Sequence, residues 1–175
     1  MNLVLGILWF LLPAYFANMA PVFANALFKN NGKPIDFGKN IFGNHKTYRG
    51  FIAGILFSIL VIYIQSYLAD IDFFNNISIL DYSKINLLFY GFLFGFGAMF
   101  GDLIKSFIKR RLSIKSGSKF IPFDQIDYVI GAYLFLALLY FPGWKFFGFS
   151  LVISFFATLI INQLSYLLKL RATKW

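Results

Sequence analysis

The sequence contains no cysteine, one histidine (His45) and only seven carboxylate side chains. The absence of cysteine excludes disulfide bonds and thiolate metal sites. A single histidine excludes a histidine-rich zinc site. No G-x-x-x-x-G-K-[ST] segment occurs, so a Walker A phosphate loop is excluded as well. The aspartates and the basic residues are therefore the candidates for any chemistry.

Charged residues are also scarce, and apolar residues dominate the chain. Hydrophobic residues make up 59% of the sequence, charged residues 13%, and the mean hydropathy is +0.72, well above that of a soluble domain. A bilayer core about 30 Å thick needs about 20 apolar residues per helix. The sequence predicts an all-α integral membrane protein, a single domain over 1–175, with five transmembrane helices. These spans lie near residues 3–28, 50–69, 87–104, 126–141 and 146–168.

The distribution of basic residues predicts how the spans are oriented. All but two of the 16 lysines and arginines fall in or beside the connections 29–49 and 105–125 or after the fifth span. The two exceptions, Lys84 and Lys145, lie on the other side. Because basic loops stay in the cytoplasm, we predict an N-terminus outside, a C-terminus inside and two cytoplasmic loops.

Three aspartates border the second cytoplasmic loop. Asp124 and Asp127 are three residues apart at the start of span four, so they share a helix face, and Asp102 lies near the end of span three. Carboxylates at headgroup depth are costly unless they are paired or bound to metal, and their oxygens suit Mg²⁺. A structural interpretation is also open, because Asp124 could cap span four and Asp102 could pair with Lys105 or Ser106.

Six basic residues lie between Asp102 and Asp124. They are Lys105, Lys109, Arg110, Arg111, Lys115 and Lys119. Lysine and arginine bind the phosphates of nucleotides and lipids. They also determine the orientation of membrane spans and contact anionic headgroups. Charge alone therefore does not decide the function of this segment.

The first loop and span one contain further candidates. The loop combines four glycines with a polar cluster before span two, composed of His45, Lys46, Thr47 and Arg49. Such a loop could close around a ligand, although a flexible basic connection is equally compatible. In span one, Asn18 and Asn25 are seven residues apart and share a face, and Pro13 and Pro21 interrupt the helix. That face either binds substrate or packs against another helix.

One pattern resembles a known family. Ser106-x-x-Lys109-Arg110, then Lys115 and Asp124-x-x-Asp127, resembles the signature of the phosphatidate cytidylyltransferase superfamily. The segments "PAYFANMAPV" and "KTYRGF" are most similar to its short archaeal branch, the CDP-archaeol synthases. The short segment "SGSKFIPFD" also favours this branch, whereas Asn44 stands where many relatives have an aspartate.

The resemblance implies a CTP-dependent cytidylyltransferase of the cell membrane with its active site at the cytoplasmic face. CTP and a lipid phosphate, 2,3-bis-O-geranylgeranyl-sn-glycerol 1-phosphate, would give CDP-archaeol and pyrophosphate. The implied catalytic residues are Asp102, Asp124, Asp127 and Lys109, with the three aspartates as ligands of Mg²⁺. Together with the loop candidates, the predicted substrate-binding residues are Lys46, Thr47, Arg49, Lys105, Ser106, Arg110, Lys115 and Asn18.

Several alternatives remain open. The lipid could be phosphatidate, and a CTP-dependent polyprenol kinase of the same superfamily would release CDP instead of pyrophosphate. A small transporter or lipid-binding scaffold would catalyse no reaction. Transporters place ionisable residues near the bilayer midplane, whereas all aspartates here lie outside the midplane, near one end or the other of the predicted spans. This distribution favours an enzyme that acts at the membrane surface. No nucleic-acid partner is expected.

Overall fold

The structure, a computed structural model, describes residues 2–28, 32–39, 41–43, 46–115 and 118–167. Lys29, Asn44, His45 and the basic tail after residue 167 lie outside the described residues. Within the described ranges all regular structure is helical, apart from one isolated bridge between Pro34 and Thr47.

Six helices are found in the described residues. They are α1 (Leu3–Leu27), α2 (Tyr48–Leu68), α3 (Asp72–Ile77), α4 (Leu87–Arg111), α5 (Phe123–Leu136) and α6 (Trp144–Leu167). Helices α1, α2, α4 and α6 are long and apolar enough to cross a membrane. The prediction of an all-α protein with several membrane-spanning helices is confirmed. Helix α5 has only 14 residues, so the fifth span stays a prediction.

The structure corrects two predicted boundaries. Helix α4 continues to Arg111, so residues 105–111 are helical and not part of a loop that begins at residue 105. Lysine and arginine are good helix formers; their charge ends the apolar run without ending the helix. Helix α5 ends at Leu136 instead of residue 141. The short helix α3 was not predicted.

Helices α4 and α5 approach each other through glycines. A Cβ atom placed on Gly101 would lie 2.2 Å from the carbonyl oxygen of Asp127, and one on Gly131 would lie 2.1 Å from the carbonyl oxygen of Gly97. Only glycine permits such backbone contact, which is a common mode of helix packing in membranes. The contact brings Asp102, next to Gly101, close to Asp127.

The break in helix α1 is repaired by helix α2. Pro13 has no amide hydrogen, so the carbonyl group of Trp9 loses its usual donor four residues later. The side chain of Gln65, which is buried, donates a hydrogen bond from Nε2 to this carbonyl oxygen at 2.6 Å. The proline-containing face of α1 therefore packs inward against α2.

We expect Gln65→Leu to lower the free energy of unfolding in detergent by about 1–2 kcal/mol, because the Trp9 carbonyl would stay unpaired in an apolar interior. The matched change Gln163→Leu, at an exposed position of α6, is expected to have little effect. Denaturant titration of both variants followed by circular dichroism measures the difference. Equal stabilities would contradict the role assigned to Gln65.

Candidate active site

Three aspartates meet around one lysine where α4 lies beside the start of α5. Lys105 Nζ is 2.9 Å from Oδ1 of Asp102, 3.0 Å from Oδ2 of Asp127 and 3.4 Å from Oδ1 of Asp124. Asp102 and Asp127 are each 6% exposed. The structure thus brings the three predicted carboxylates together, with Lys105 between them; their role in metal binding stays a prediction.

Helix periodicity explains how α4 and α5 supply these groups. Asp102, Lys105 and Lys109 are three and four residues apart, so they line one face of α4. Asp124 and Asp127 are likewise three residues apart, and Asp124 lies in the first turn of α5. Carboxylates are favoured there because the N-terminal end of a helix carries partial positive charge.

Lys109 holds the connection between α4 and α5 in place. Its Nζ lies 3.0 Å from both carboxylate oxygens of Asp124 and donates to the carbonyl oxygen of Ser118 at 2.5 Å. Oδ2 of Asp124 also accepts a hydrogen bond from the amide of Phe120 at 2.7 Å. Lys109 is only 7% exposed. These contacts give Lys109 a positioning role, and its predicted catalytic role is not tested by them.

The first loop reaches the cluster through Lys46, whose ammonium group pairs with Oδ2 of Asp102. Thr47 accepts a hydrogen bond from the amide of Gly50 at 3.1 Å and so caps α2. Arg49 donates to Oδ1 of Asn25 at 3.2 Å, near the end of α1. Of these three predicted substrate-binding residues, only Lys46 forms an ion pair with one of the aspartates. Thr47 caps the start of α2, and Arg49 links α2 to the end of α1.

Asp36 organises the first loop, and the sequence analysis did not single it out. Its side chain is buried and accepts hydrogen bonds from the amides of Gly38 at 3.1 Å and Phe42 at 3.0 Å. Burial raises the pKa of Asp36, but these and other backbone amides outweigh it and hold the pKa below its usual value. The Asp36-x-Gly38 pattern, typical of a side-chain-stabilised turn, was the available signal. The turn shapes the loop that carries Lys46.

The four other predicted substrate-binding residues make no hydrogen bond or ion pair with the cluster among the described residues. Ser106 is buried in α4, Arg110 is half-buried, and Lys115 is exposed in the connection to α5. Nε of Arg110 has no hydrogen-bond partner among the described residues. Asn18 is half-buried on α1. Their roles in substrate binding stay predictions.

The donor set suits Mg²⁺. Both carboxylate oxygens of Asp127 are buried and receive no hydrogen bond of ordinary geometry from the described residues, although Lys105 is close to one of them. Carboxylate oxygens are the ligands that Mg²⁺ prefers. The described residues form no ready-made cage of three metal ligands, and Lys105 stands among the oxygens instead. The aspartates therefore fit a divalent cation in chemistry, while the lysine occupies the space.

An apolar groove of about 610 Å³ opens between α1 and α2. Its lining includes Tyr48, which follows Lys46 by two residues in the chain. Its lining is formed by Ala24, Phe28, Gly32, Lys33, Tyr48, Arg49, Ile52, Ala53 and Leu56. Lys33 and Arg49 supply its only basic side chains among the described lining residues. The groove thus combines an apolar surface with positive charge at the loop end.

The fold and the charged cluster define a helical membrane protein with a candidate phosphate-binding and metal-binding site at one end of its spans. The family model for CDP-archaeol synthase (CarS-like) matches residues 1–175. The chain therefore belongs to the CDP-archaeol synthase family. This confirms the resemblance seen in the sequence.

Individual relatives agree with the family model. The chain is 36% identical over 186 residues to the CDP-archaeol synthase of Archaeoglobus fulgidus, covering 100% of this chain and 99% of the relative. It is 41% identical over 140 residues to that of Methanocaldococcus jannaschii, covering 77% and 76%. A solved structure of an intramembrane enzyme for archaeal membrane lipids biosynthesis has a TM-score of 0.65 and 26% identity, covering 89% of this chain and 91% of that one.

Proposed function

We propose that the protein is a CTP-dependent cytidylyltransferase that forms CDP-archaeol and pyrophosphate from CTP and 2,3-bis-O-geranylgeranyl-sn-glycerol 1-phosphate. Membership of the CDP-archaeol synthase family supports the reaction. The observation that carries the assignment of the site is the meeting of Asp102, Asp124 and Asp127 with basic side chains from two chain segments.

The reaction requires two polyanions to be held in line. An oxygen of the lipid phosphate attacks the α-phosphorus of CTP, a new P–O bond forms, and the bond to the β-phosphate breaks. The electron pair of that bond leaves with pyrophosphate. No side-chain nucleophile is needed, so the protein contributes positioning and positive charge. Lys46 and Lys105 would neutralise phosphate oxygens, and Lys109 would keep Asp124 and the 112–122 connection in position.

Asp102, Asp124 and Asp127 are the residues that would hold Mg²⁺. A bound magnesium ion would supply charge neutralisation and polarisation of the phosphoryl oxygens. The carboxylate oxygens of Asp127 support this assignment, because they are buried and receive no hydrogen bond of ordinary geometry from the described residues, and buried anionic oxygens need partners.

The proposed topology is a single domain over 1–175 with five spans, the N-terminus outside and the C-terminus in the cytoplasm. Helix α5 would cross together with the apolar residues that follow it, up to residue 141. The ion pair between Lys46 and Asp102 supports the assignment of both basic connections to one side. An active site on that side would face cytoplasmic CTP.

The absence of native cysteine allows this topology to be tested with single cysteines. In intact spheroplasts, an impermeant maleimide is expected to label Lys145→Cys directly and Lys115→Cys only after permeabilisation. Both side chains are exposed in the structure, so access depends on the side of the membrane. Labelling of Lys115→Cys in intact spheroplasts would contradict the orientation.

The choice of lipid and the reaction are tested together. Purified protein in detergent receives Mg²⁺ and CTP with either unsaturated archaetidic acid or phosphatidate, and the products are identified by mass. A CDP-lipid from the isoprenoid substrate that disappears on chelation is the expected result. The apolar groove beside Arg49 offers one surface for the lipid chains. A preference for phosphatidate would reassign the substrate, and no CDP-lipid from either would refute the function.

A further inference from the structure

Lys105 occupies the point at which the three carboxylates converge. Its Nζ is within 3.4 Å of an oxygen of Asp102, Asp124 and Asp127, which come from two different helices. Its side chain is 14% exposed. No other lysine of the described residues is recorded in ion pairs with all three aspartates, so Lys105 stands in the place of a shared cation.

The cluster is balanced in charge without any added ion. Asp102 pairs with Lys46, Asp124 pairs with Lys109, and Lys105 is shared among the three aspartates. Three carboxylates therefore face three ammonium groups. A nucleoside triphosphate approaching this network finds its lysines already occupied by protein carboxylates.

A divalent ion and the ammonium group of Lys105 cannot both occupy the point between the three carboxylates. Magnesium binds oxygen at about 2.0–2.1 Å and demands near-octahedral geometry, whereas the ammonium nitrogen lies 2.9–3.4 Å from the three oxygens. A metal ion among these oxygens would also repel the ammonium group at close range. Entry of the metal therefore requires Lys105 to move away.

We propose that Lys105 is an internal counter-ion that the divalent metal displaces, and that the displaced ammonium group then binds the phosphates of CTP. This inference rests on the proposed function. Metal alone leaves Lys105 without its carboxylate partners in a largely buried position, which is unfavourable. Nucleotide supplies new partners. Metal and CTP must consequently bind cooperatively, each raising the affinity of the other by the same factor.

Lys105 is better suited to this movement than its neighbours. Lys109 is anchored by the carbonyl oxygen of Ser118 in addition to Asp124. Lys46 contacts only Asp102 among the three aspartates and belongs to the loop. Lys105 donates to no backbone acceptor among the described residues, and its flexible stem carries a compact charge. Exchange of carboxylate for phosphate oxygens therefore leaves the α4–α5 connection in place.

The test measures binding of Mn²⁺ to the purified protein without nucleotide, by the loss of the free-ion electron paramagnetic resonance signal. Lys105→Met is expected to bind Mn²⁺ on the order of 10-fold more tightly than the unaltered protein. Arg111→Met removes a positive charge from the same helix at an exposed position and is expected to change the affinity less than about threefold, because Arg111 does not occupy the shared position. Lys145→Met, far along the chain at an exposed site, should leave it unchanged.

The second arm measures CTP. At saturating Mn²⁺, equilibrium dialysis with labelled CTP is expected to show about 10-fold weaker nucleotide binding to Lys105→Met. If the Lys105→Met protein does not fold, both the Mn²⁺ and the CTP measurements are made on Lys105→Gln instead. Unchanged Mn²⁺ affinity in the Lys105 variants, or equal tightening in Arg111→Met, would overturn the inference. Formation of CDP-lipid by the unaltered protein is measured separately, so failure of the proposed function would be recognised independently.

Discussion

Asp127→Asn is expected to lower the rate of CDP-lipid formation on the order of 10²–10³-fold, the loss typical when one group that stabilises transition-state charge is removed. Asp127 is 6% exposed and its oxygens receive no ordinary hydrogen bond from the described residues. An amide has nearly the same shape, so the helices keep their packing. What is lost is the proposed anionic ligand for the divalent cation.

The control for this change is Asp81→Asn at the opposite end of the spans. Asp81 pairs with Lys84, which, with help from Ser83, lowers the pKa of Asp81 to about 2. Asp81 is therefore charged at neutral pH, as a control for Asp127 must be, and it lies 21 residues before Asp102 in the chain. Its replacement should leave turnover within about twofold. Turnover of Asp127→Asn equal to that of Asp81→Asn, with both proteins folded, would remove Asp127 from the active site.

Gly101→Ala is expected to damage both stability and activity. The new methyl group would lie 2.2 Å from the carbonyl oxygen of Asp127, so α4 and α5 must separate. Overpacking of this kind costs about 1–3 kcal/mol of folding stability. A displacement of about 1 Å among catalytic groups can cost on the order of 10²-fold in rate. The two effects share one cause, because Gly101 adjoins Asp102.

The matched control is Gly148→Ala in helix α6, where an added Cβ meets no described atom within 4 Å. Thermal unfolding in detergent and the rate of CDP-lipid formation are measured for both variants. Gly148→Ala should be as stable as the unaltered protein or slightly more stable, because alanine favours helix. A Gly101→Ala protein that matches it in melting temperature and rate would show that the helix contact is not needed.

Hydropathy and periodicity predicted much of the fold but not the ends of the helices. Apolar runs located α1, α2 and α6, and the start of α4, within a few residues. The same signal ended span three at residue 104, although the helix continues to Arg111. Hydropathy reports where the bilayer ends, and helix propensity continues beyond it. The position of α4 against α5 depends on backbone contact at glycines, which carry no hydropathy signal.

The candidate site was predictable where spacing along a helix carries the information. Asp124 and Asp127 share a face because they are three residues apart. The arrangement around Lys105 was not predictable, because it depends on how closely α4 and α5 approach each other. Lys109 was predicted to be catalytic, and its anchoring to Ser118 was not predictable because it depends on the path of the connection after α4. Asp36 was missed because its role is local to a loop.

The central claim is that this membrane protein transfers a cytidylyl group, and the fate of isotopic label in CTP tests it most directly. CTP labelled at the α-phosphorus or at the γ-phosphorus is incubated with the isoprenoid lipid phosphate, Mg²⁺ and the purified protein. We predict that α-label enters the lipid and γ-label leaves as pyrophosphate. Transfer of γ-label to the lipid with release of CDP would identify a kinase. If neither form of labelled CTP gave a labelled lipid, the protein would not transfer a cytidylyl group to this lipid.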